Sequence, residues 1–168
     1  MMIKLKRIFR QSRPGYCGPA ALLSVLRFYG LGISEHELVR RCRATIDKGT
    51  NHKNIIRGLR SLGWHGFWKE NGTISELRYF IKQNKPVVVD WFAEDDGHYS
   101  VVIGLDRKFI YLADPEEGKK RKILISKFKK IWFDFEGDSL KEAKKIYFEW
   151  FLTPTLKRVQ YKIKGHYF

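Results

Sequence analysis

The sequence predicts an α+β fold, with helices first and a largely antiparallel sheet after them. Up to residue 82, apolar residues recur at helical spacing behind N-cap signals. After Pro86 the period changes to short β-branched or aromatic segments separated by turn residues. Helices followed by strands are typical of the α+β class. Since 168 residues can build one good core, we expect a single domain over residues 1–168.

The first helix is predicted to follow Cys17, in the segment PAALLSVLRFYG. Pro19 suits a first helical turn, and Gly30 suits a C-terminal cap. Cys17 is therefore expected at or just before a helix N-terminus.

Three further helices are predicted from their N-caps, which are Ser34, Asn51 or Asn54, and Thr73. In the first and the last of these, a glutamate stands three residues after the cap, as in a capping box.

Four strands are predicted in the second half: PVVVDWF, HYSVVIGLD, KFIYLADP and KRKILIS. Beyond them, residues 138–168 are interpreted as a C-terminal extension. Its first part, SLKEAKKIYFEWFLTP, predicts a helix that has Leu140, Ala143, Ile146 or Tyr147, and Trp150 on one face. The tail TLKRVQYKIKGHYF alternates weakly and is consistent with one more strand.

The chain is strongly basic, with a formal net charge of +15. Such a surface attracts nucleic acid, an anionic membrane face or an acidic peptide; the alternative is a merely solvated surface with lysines protecting strand edges. No apolar run has the roughly 18 residues that a membrane span needs, and the N-terminus does not match a secretory signal. Two cysteines without a CxxC pair suggest a cytoplasmic protein without a disulfide framework, and no metal or cofactor is predicted.

Cys17 is the first candidate for chemistry. Free N–H groups and the positive end of the dipole at a helix N-terminus favour an anion, and a thiolate is a nucleophile. The alternative is that Cys17 is a small core residue. A partner base is needed to decide between them.

Among the five histidines, His98 is the candidate base because it opens a predicted buried strand. The other four, His36, His52, His65 and His166, are interpreted as surface residues in polar contexts.

Asp114 ends the strand that follows His98. If the two strands pair as a hairpin, its carboxylate lies near the imidazole, where it can fix the tautomer and stabilise the cation. A turn histidine and an ordinary Asp-Pro turn are the alternatives.

Taken together, these elements resemble the bacteriocin-processing (double-glycine leader) peptidases, which are papain-like cysteine peptidases. The resemblance runs over residues 11–132 and rests on a glutamine six residues before CGPAAL, followed by YGLGISEHEL, GTNHKNIIRGLRSLGW, HYSVVIGLD, ADPEEG and ISKFKKIW in the family's order. The best-understood members are joined to an ABC transporter. Because this sequence has neither a membrane domain nor an ATPase, we interpret it as a stand-alone peptidase domain.

The resemblance implies a papain-like fold and a role for each matching residue. Cys17 is the nucleophile, His98 the general base and later acid, and Asp114 the residue that orients the imidazole. Gln11 supplies the side-chain donor of the oxyanion hole, together with the backbone N–H of Cys17.

The residues around His98 suggest two further hypotheses. Trp91 and Tyr99 are candidate substrate-binding residues that would admit only small side chains beside the scissile bond. Asp95 and Asp96 precede the base and are alternative carboxylate partners for it.

The leading interpretation is a cysteine peptidase whose partner is a peptide or protein, possibly acidic. An acyl-transfer enzyme uses the same three residues through the same thioester. A peptide-binding module without activity is a second class. A nucleic-acid binder rests on charge alone and is less favoured.

Overall fold

The computed structural model describes residues 2–94, 96–137 and 140–168. The predicted helices form as α1 (Cys17–Phe28), α2 (Glu35–Arg41), α3 (His52–Arg60) and α4 (Ile74–Lys82), and α5 spans Ile125–Ile131. The strands are β1 (His65–Lys69), β2 (Val87–Ala93), β3 (Asp96–Leu105), β4 (Phe109–Asp114), β5 (Lys119–Leu124), β6 (Phe133–Glu136), β7 (Lys145–Phe148), β8 (Phe151–Thr155) and β9 (His166–Tyr167). This order confirms the α+β prediction.

The helices begin at the predicted caps. The side chains of Ser34, Asn51 and Thr73 each accept a hydrogen bond from the backbone N–H three residues on, and Thr73 completes a capping box with Glu76. Asn51, rather than Asn54, caps α3. None of the helices in the described residues has the length and apolar character needed to cross a bilayer.

The described strands form a seven-stranded sheet in the order β5-β4-β3-β2-β8-β1-β9, with every neighbouring pair antiparallel. α1 packs against β3 and is buried continuously from Cys17 to Leu26. On the other side of the β2–β3 pair, Phe128 of α5 packs against Trp91. β6 and β7 form a separate hairpin against β2 and β3, where Phe133 stacks on Phe92.

The helix predicted from residue 139 is wrong. Ser139 lies outside the described residues, and the chain continues as a short 3₁₀ turn at Leu140–Glu142, then β7 and β8. β8 lies between β2 and β1 and buries Phe151 and Leu152 completely. Ladder hydrogen bonds and burial on both faces stabilise a strand here more than a helical apolar stripe would, so tertiary pairing overrides the local pattern.

Other elements also differ from expectation, and α5 and β6 are among those that were not predicted. β1 was not predicted, although its core residue Phe67 is fully buried. The predicted C-terminal strand is reduced to the two residues of β9, which pair with β1.

Candidate active site

Cys17 is the first residue of α1 and is buried. Tyr16 at the N-cap makes no side-chain capping bond, and the first turn has no acidic residue. The first-turn N–H groups therefore have no side-chain cap, and the positive end of the helix dipole favours an anion at this sulfur.

His98 lies on β3, directly across from Trp91 of β2. The indole packs edge-on against the imidazole, with ring centroids 5.7 Å apart and planes at 78°. Trp91 is itself fixed by a 3.1 Å hydrogen bond from its Nε1 to Ser100 Oγ. Packing against a rigid indole restricts the orientation of the base.

The predicted hairpin of His98 and Asp114 forms, because β3 and β4 pair with Val101 opposite Ala113. This pairing places Nε2 of His98 2.8 Å from Oδ1 of Asp114. Both side chains are buried. Since Nε2 binds the carboxylate, Nδ1 is the imidazole nitrogen left for Cys17.

Cys17 is close enough to His98 to act on the titration of the imidazole, so the helix start and the strand meet. Burial by itself lowers the pKa of His98, but the bonds and charges of Asp114 and Cys17 outweigh burial and raise it to about 10. The imidazole is therefore charged at neutral pH.

The carboxylate of Asp114 has three hydrogen-bond donors. Its Oδ1 also accepts from the Glu116 N–H at 3.0 Å, and its Oδ2 accepts from Arg121 Nη1 at 3.1 Å. Burial raises the pKa of Asp114, but its bonds to His98, Glu116 and Arg121 hold it below its usual value. Asp114 is accordingly ionised at neutral pH, where the imidazole is charged.

The alternative carboxylate partners are not found beside His98 in the described part of the chain. Asp96 is exposed, and its Oδ1 accepts a 2.7 Å bond from Gly97 N–H, which fixes its own turn. Asp95 lies outside the described residues.

Gln11 is tied to the loop that follows Asp114. Its backbone N–H donates to the Pro115 carbonyl at 2.7 Å, and its side-chain amide donates to the Arg13 carbonyl at 3.1 Å. The backbone bond places the Gln11 segment beside the Asp114 loop. Its role in an oxyanion hole stays a prediction.

Trp91 and Tyr99 do not present surface to a substrate. Their exposed fractions are 1% and 4%, which leaves the predicted substrate contact without support. Trp91 packs on the base instead. Tyr99 points to the other side of the sheet, close to Gly18 at the start of α1.

The interpretation of His52 as a surface residue is wrong. It is 7% exposed, its ring stacks on Trp150 at 4.0 Å, and its Nε2 lies 2.6 Å from Oδ2 of Asp90. Burial lowers the pKa of His52 to about 4, so the neutral ring donates to Asp90. The one sequence signal was Asp90 itself, a charge inside the apolar run VVVDWF that needs a buried partner.

Asp90 is also hydrogen-bonded to Asp134 of β6. Burial, with mutual repulsion at Asp134, raises the pKa of Asp90 to about 7 and that of Asp134 to about 8. Asp134 therefore holds the shared proton at neutral pH. Its carboxyl packs against Gly97, where a Cβ would lie 2.3 Å from Oδ1.

In the described residues, His98, Asp114 and Glu116 offer ligand atoms within 4.8 Å of one another, as a metal site requires. A cation bound there would break the hydrogen bond between His98 and Asp114. It would also be repelled by the positive charge of Arg121, which binds the same carboxylate. The hydrogen-bonded arrangement therefore accounts for this group without a metal.

The chain resembles known proteins in sequence and in fold. The model of the peptidase C39 family matches residues 6–135. An uncharacterized protein of Methanothermobacter thermautotrophicus is 35% identical over 112 residues, covering 67% of this chain and 73% of that protein. Another, of Methanothermobacter marburgensis, is 39% identical over 116 residues, covering 68% and 75%.

Two crystal structures share the fold. One is the peptidase domain of Streptococcus ComA, a bi-functional ABC transporter involved in a quorum-sensing pathway (TM-score 0.67, 20% identity, 89% of this chain and 96% of that domain). The other is a double glycine motif protease from an AMS/PCAT transporter in complex with the leader peptide (TM-score 0.61, 22% identity, 92% and 94%).

Proposed function

Because the chain belongs to the peptidase C39 family, we propose that it is a cysteine peptidase that cleaves a peptide bond through a thioester. The observation that carries the proposal is the continuous contact from Cys17 at a helix start, through His98, to the ionised Asp114. A nucleophile, a base and a group that orients the base are the parts such a reaction needs.

In the proposed reaction, the Cys17 thiolate attacks the scissile carbonyl carbon and forms a tetrahedral oxyanion. The Gln11 amide and the Cys17 backbone N–H donate to that oxygen. The His98 imidazolium gives its proton to the departing amine, and the C–N bond breaks to leave a thioester. Neutral His98 then takes a proton from water, whose oxygen attacks the thioester carbon and releases the acid and the thiolate.

The proposed substrate is an acidic, Leu-rich leader segment, supplied by another chain and cut after Gly-Gly or Gly-Ala. Two findings support it: a protease of the same fold is in complex with the leader peptide, and this chain carries a net charge of +15. Opposite charge speeds capture of such a partner and makes capture sensitive to salt. We propose the reducing cytoplasm as the compartment, because Cys17 and Cys42 are free thiols.

The nucleophile is tested first with a peptide-like electrophile whose site of attachment is read by peptide mass spectrometry. We expect labelling at Cys17 that His98→Ala abolishes and that His36→Ala, an exposed histidine, leaves unchanged. Labelling of Cys17 that is indifferent to His98 would contradict the proposed pair.

The substrate is tested with a peptide library that varies the two positions before the cut, at low and high salt. We expect cleavage only after small residues, faster at low salt, and none with Cys17→Ala, while Cys42→Ala stays active. Gln11→Ala should lower the rate constant of cleavage by roughly 10²–10³, as loss of one oxyanion donor does. Tolerance of bulky residues would refute the small-residue claim, and transfer of the acyl group to added amine in place of hydrolysis would point to the acyl-transfer alternative.

A further inference from the structure

Arg121 on β5 contacts Asp114 and Trp91, the two residues that hold His98, but it does not itself take part in the proposed reaction. In the sequence it is one of four consecutive basic residues, at positions 119–122, which contribute to the basic surface. The structure distinguishes it by its contacts. Its Nη1 donates to Oδ2 of Asp114 at 3.1 Å, and its guanidinium carbon lies 5.2 Å from the centroid of the Trp91 ring.

These two contacts reach the two groups that hold the base. Asp114 binds Nε2 of His98, and Trp91 packs on the imidazole at 5.7 Å. The neighbouring Lys120 points away, since alternate residues of a strand face opposite sides, and its ammonium lies over Tyr111 instead.

The hydrogen bonds of the buried Asp114 carboxylate explain why a positively charged side chain lies next to it. Its Oδ1 is occupied by His98 and the Glu116 N–H, whereas Arg121 is the donor that the described residues supply to Oδ2. A buried carboxyl without a cation favours its protonated form, and a protonated Asp114 would no longer stabilise the imidazolium. The planar guanidinium fork also fixes the direction of the carboxylate, which a lysine ammonium does less well.

We propose that Arg121 is a positioning residue of the reaction: it keeps Asp114 ionised and aimed at His98, and it holds Trp91 against the imidazole. The inference rests on the proposed function, because Arg121 acts on Cys17 only through His98.

The test is the rate of Cys17 carboxamidomethylation by iodoacetamide from pH 4 to 9, read by peptide mass spectrometry so that Cys42 is scored separately. The variants are Arg121→Met and Arg121→Lys, with Lys120→Met as the matched control. In Arg121→Met, the acid limb of the pH–rate profile should move up by about one pH unit, a roughly tenfold lower rate on that limb, as loss of a charge-assisted hydrogen bond implies. Arg121→Lys should lie between, and Lys120→Met should match the wild type.

An Arg121→Met profile that superimposes on the wild type, or that is lower by one factor at every pH, would overturn the proposal, because a merely structural role does not move the acid limb. If Arg121→Met does not fold, Arg121→Gln and Arg121→Lys decide: an acid limb at the wild-type position in either would likewise overturn it. Failure of the proposed function is distinguishable, since it would appear as wild-type alkylation that His98→Ala leaves unchanged.

Discussion

Replacing Asp134 with asparagine tests the buried acid pair behind the active-site strand. Asp134 is held between Asp90 and the backbone of Gly97, and it carries the proton that the two carboxyls share. Asparagine keeps nearly the same shape and a donor for Asp90, but it cannot ionise. The variant therefore removes one titration while leaving the packing nearly unchanged.

The sign of the effect follows from the raised pKa. Asp134 has a pKa of about 8 in the folded chain against 3.8 for the ordinary carboxyl, so between these values the folded state holds a proton that the unfolded state has lost. Its contribution to stability is present below the lower pKa and is lost as the pH rises through the higher one. Each such proton lowers the free energy of unfolding by about 1.4 kcal/mol per pH unit, or roughly 3 kcal/mol between pH 5 and 7.

Other groups titrate in the same range. The raised pKa values of Asp90 and His98 also make stability fall as pH rises, whereas the lowered pKa of His52 makes stability fall as pH drops from about 6.5 to about 4. The comparison of the two chains at each pH cancels the His98 contribution to first order, whereas Asp90 and His52 interact with Asp134 and are part of the titration that the variant alters.

The measurement is urea unfolding followed by tryptophan fluorescence at pH 5, 6, 7 and 8. The free energy of unfolding of Asp134→Asn, minus that of the wild type, should increase by about 1.4 kcal/mol per pH unit from pH 5 to 7, and less steeply toward pH 8, where Asp134 itself loses its proton. Asp47→Asn, an exposed carboxyl elsewhere, is the control and should give a constant difference. Parallel pH curves for Asp134→Asn and the wild type would refute the shared-proton reasoning.

Three shorter predictions concern other sites. Asp114→Asn should slow Cys17 alkylation far more than Asp96→Asn does. The reverse ranking in the alkylation assay would show that Asp96, and not Asp114, is the carboxylate that orients His98. Gly58→Ala should lower the free energy of unfolding by roughly 1–3 kcal/mol, because the new Cβ would lie 2.4 Å from Cys42 Sγ. In thermal melts this loss of stability should be smaller when Cys42 is also replaced by alanine. An equal loss in the two backgrounds would exclude the clash with the sulfur. Thr73→Ala removes the cap of α4 and should cost about 1 kcal/mol in urea unfolding, a value near zero being the contrary result.

The features that sequence predicted best depend on neighbours along the chain. Ser34 and Thr73 cap their helices because the acceptor and the donor lie three residues apart in sequence. The meeting of His98 and Asp114 needed only one hairpin, whose strands are adjacent in the chain. Short-range patterns of this kind leave few alternative geometries.

The features that sequence missed depend on distant partners. His52 and Trp150 are stacked although nearly a hundred residues separate them, and nothing local to either one indicates the other. The spacing of Leu140, Ala143 and Trp150 predicts a helix that runs on into β8, and only the gap between β2 and β1 selects a strand for Phe151–Thr155. Arg121 stands in a run of four basic residues, and only the pairing of β5 with β4 shows that its side chain, unlike that of Lys120, reaches Asp114.

The sequence predicts that residues 138–168 are an extension of the family core, and removing them tests this prediction. The family model matches residues 6–135, which leaves β8 outside the matched region. Nevertheless β8 separates β2 from β1, buries Phe151 and Leu152, and follows the tryptophan that covers His52. A chain that ends at residue 137 would expose this apolar surface and leave both neighbouring strands with unpaired edges.

We therefore expect the 1–137 chain to lack a cooperative urea transition and to lose the His98-dependent alkylation of Cys17. The control is a chain that ends at Thr155, which keeps β8 and removes a mostly exposed tail together with β9. It should still unfold cooperatively, at somewhat lower urea because β1 loses its outer partner. A 1–137 chain that unfolds cooperatively and keeps the reactive Cys17 would show that the matched region is a folding unit by itself and that the C-terminal residues are an addition to it.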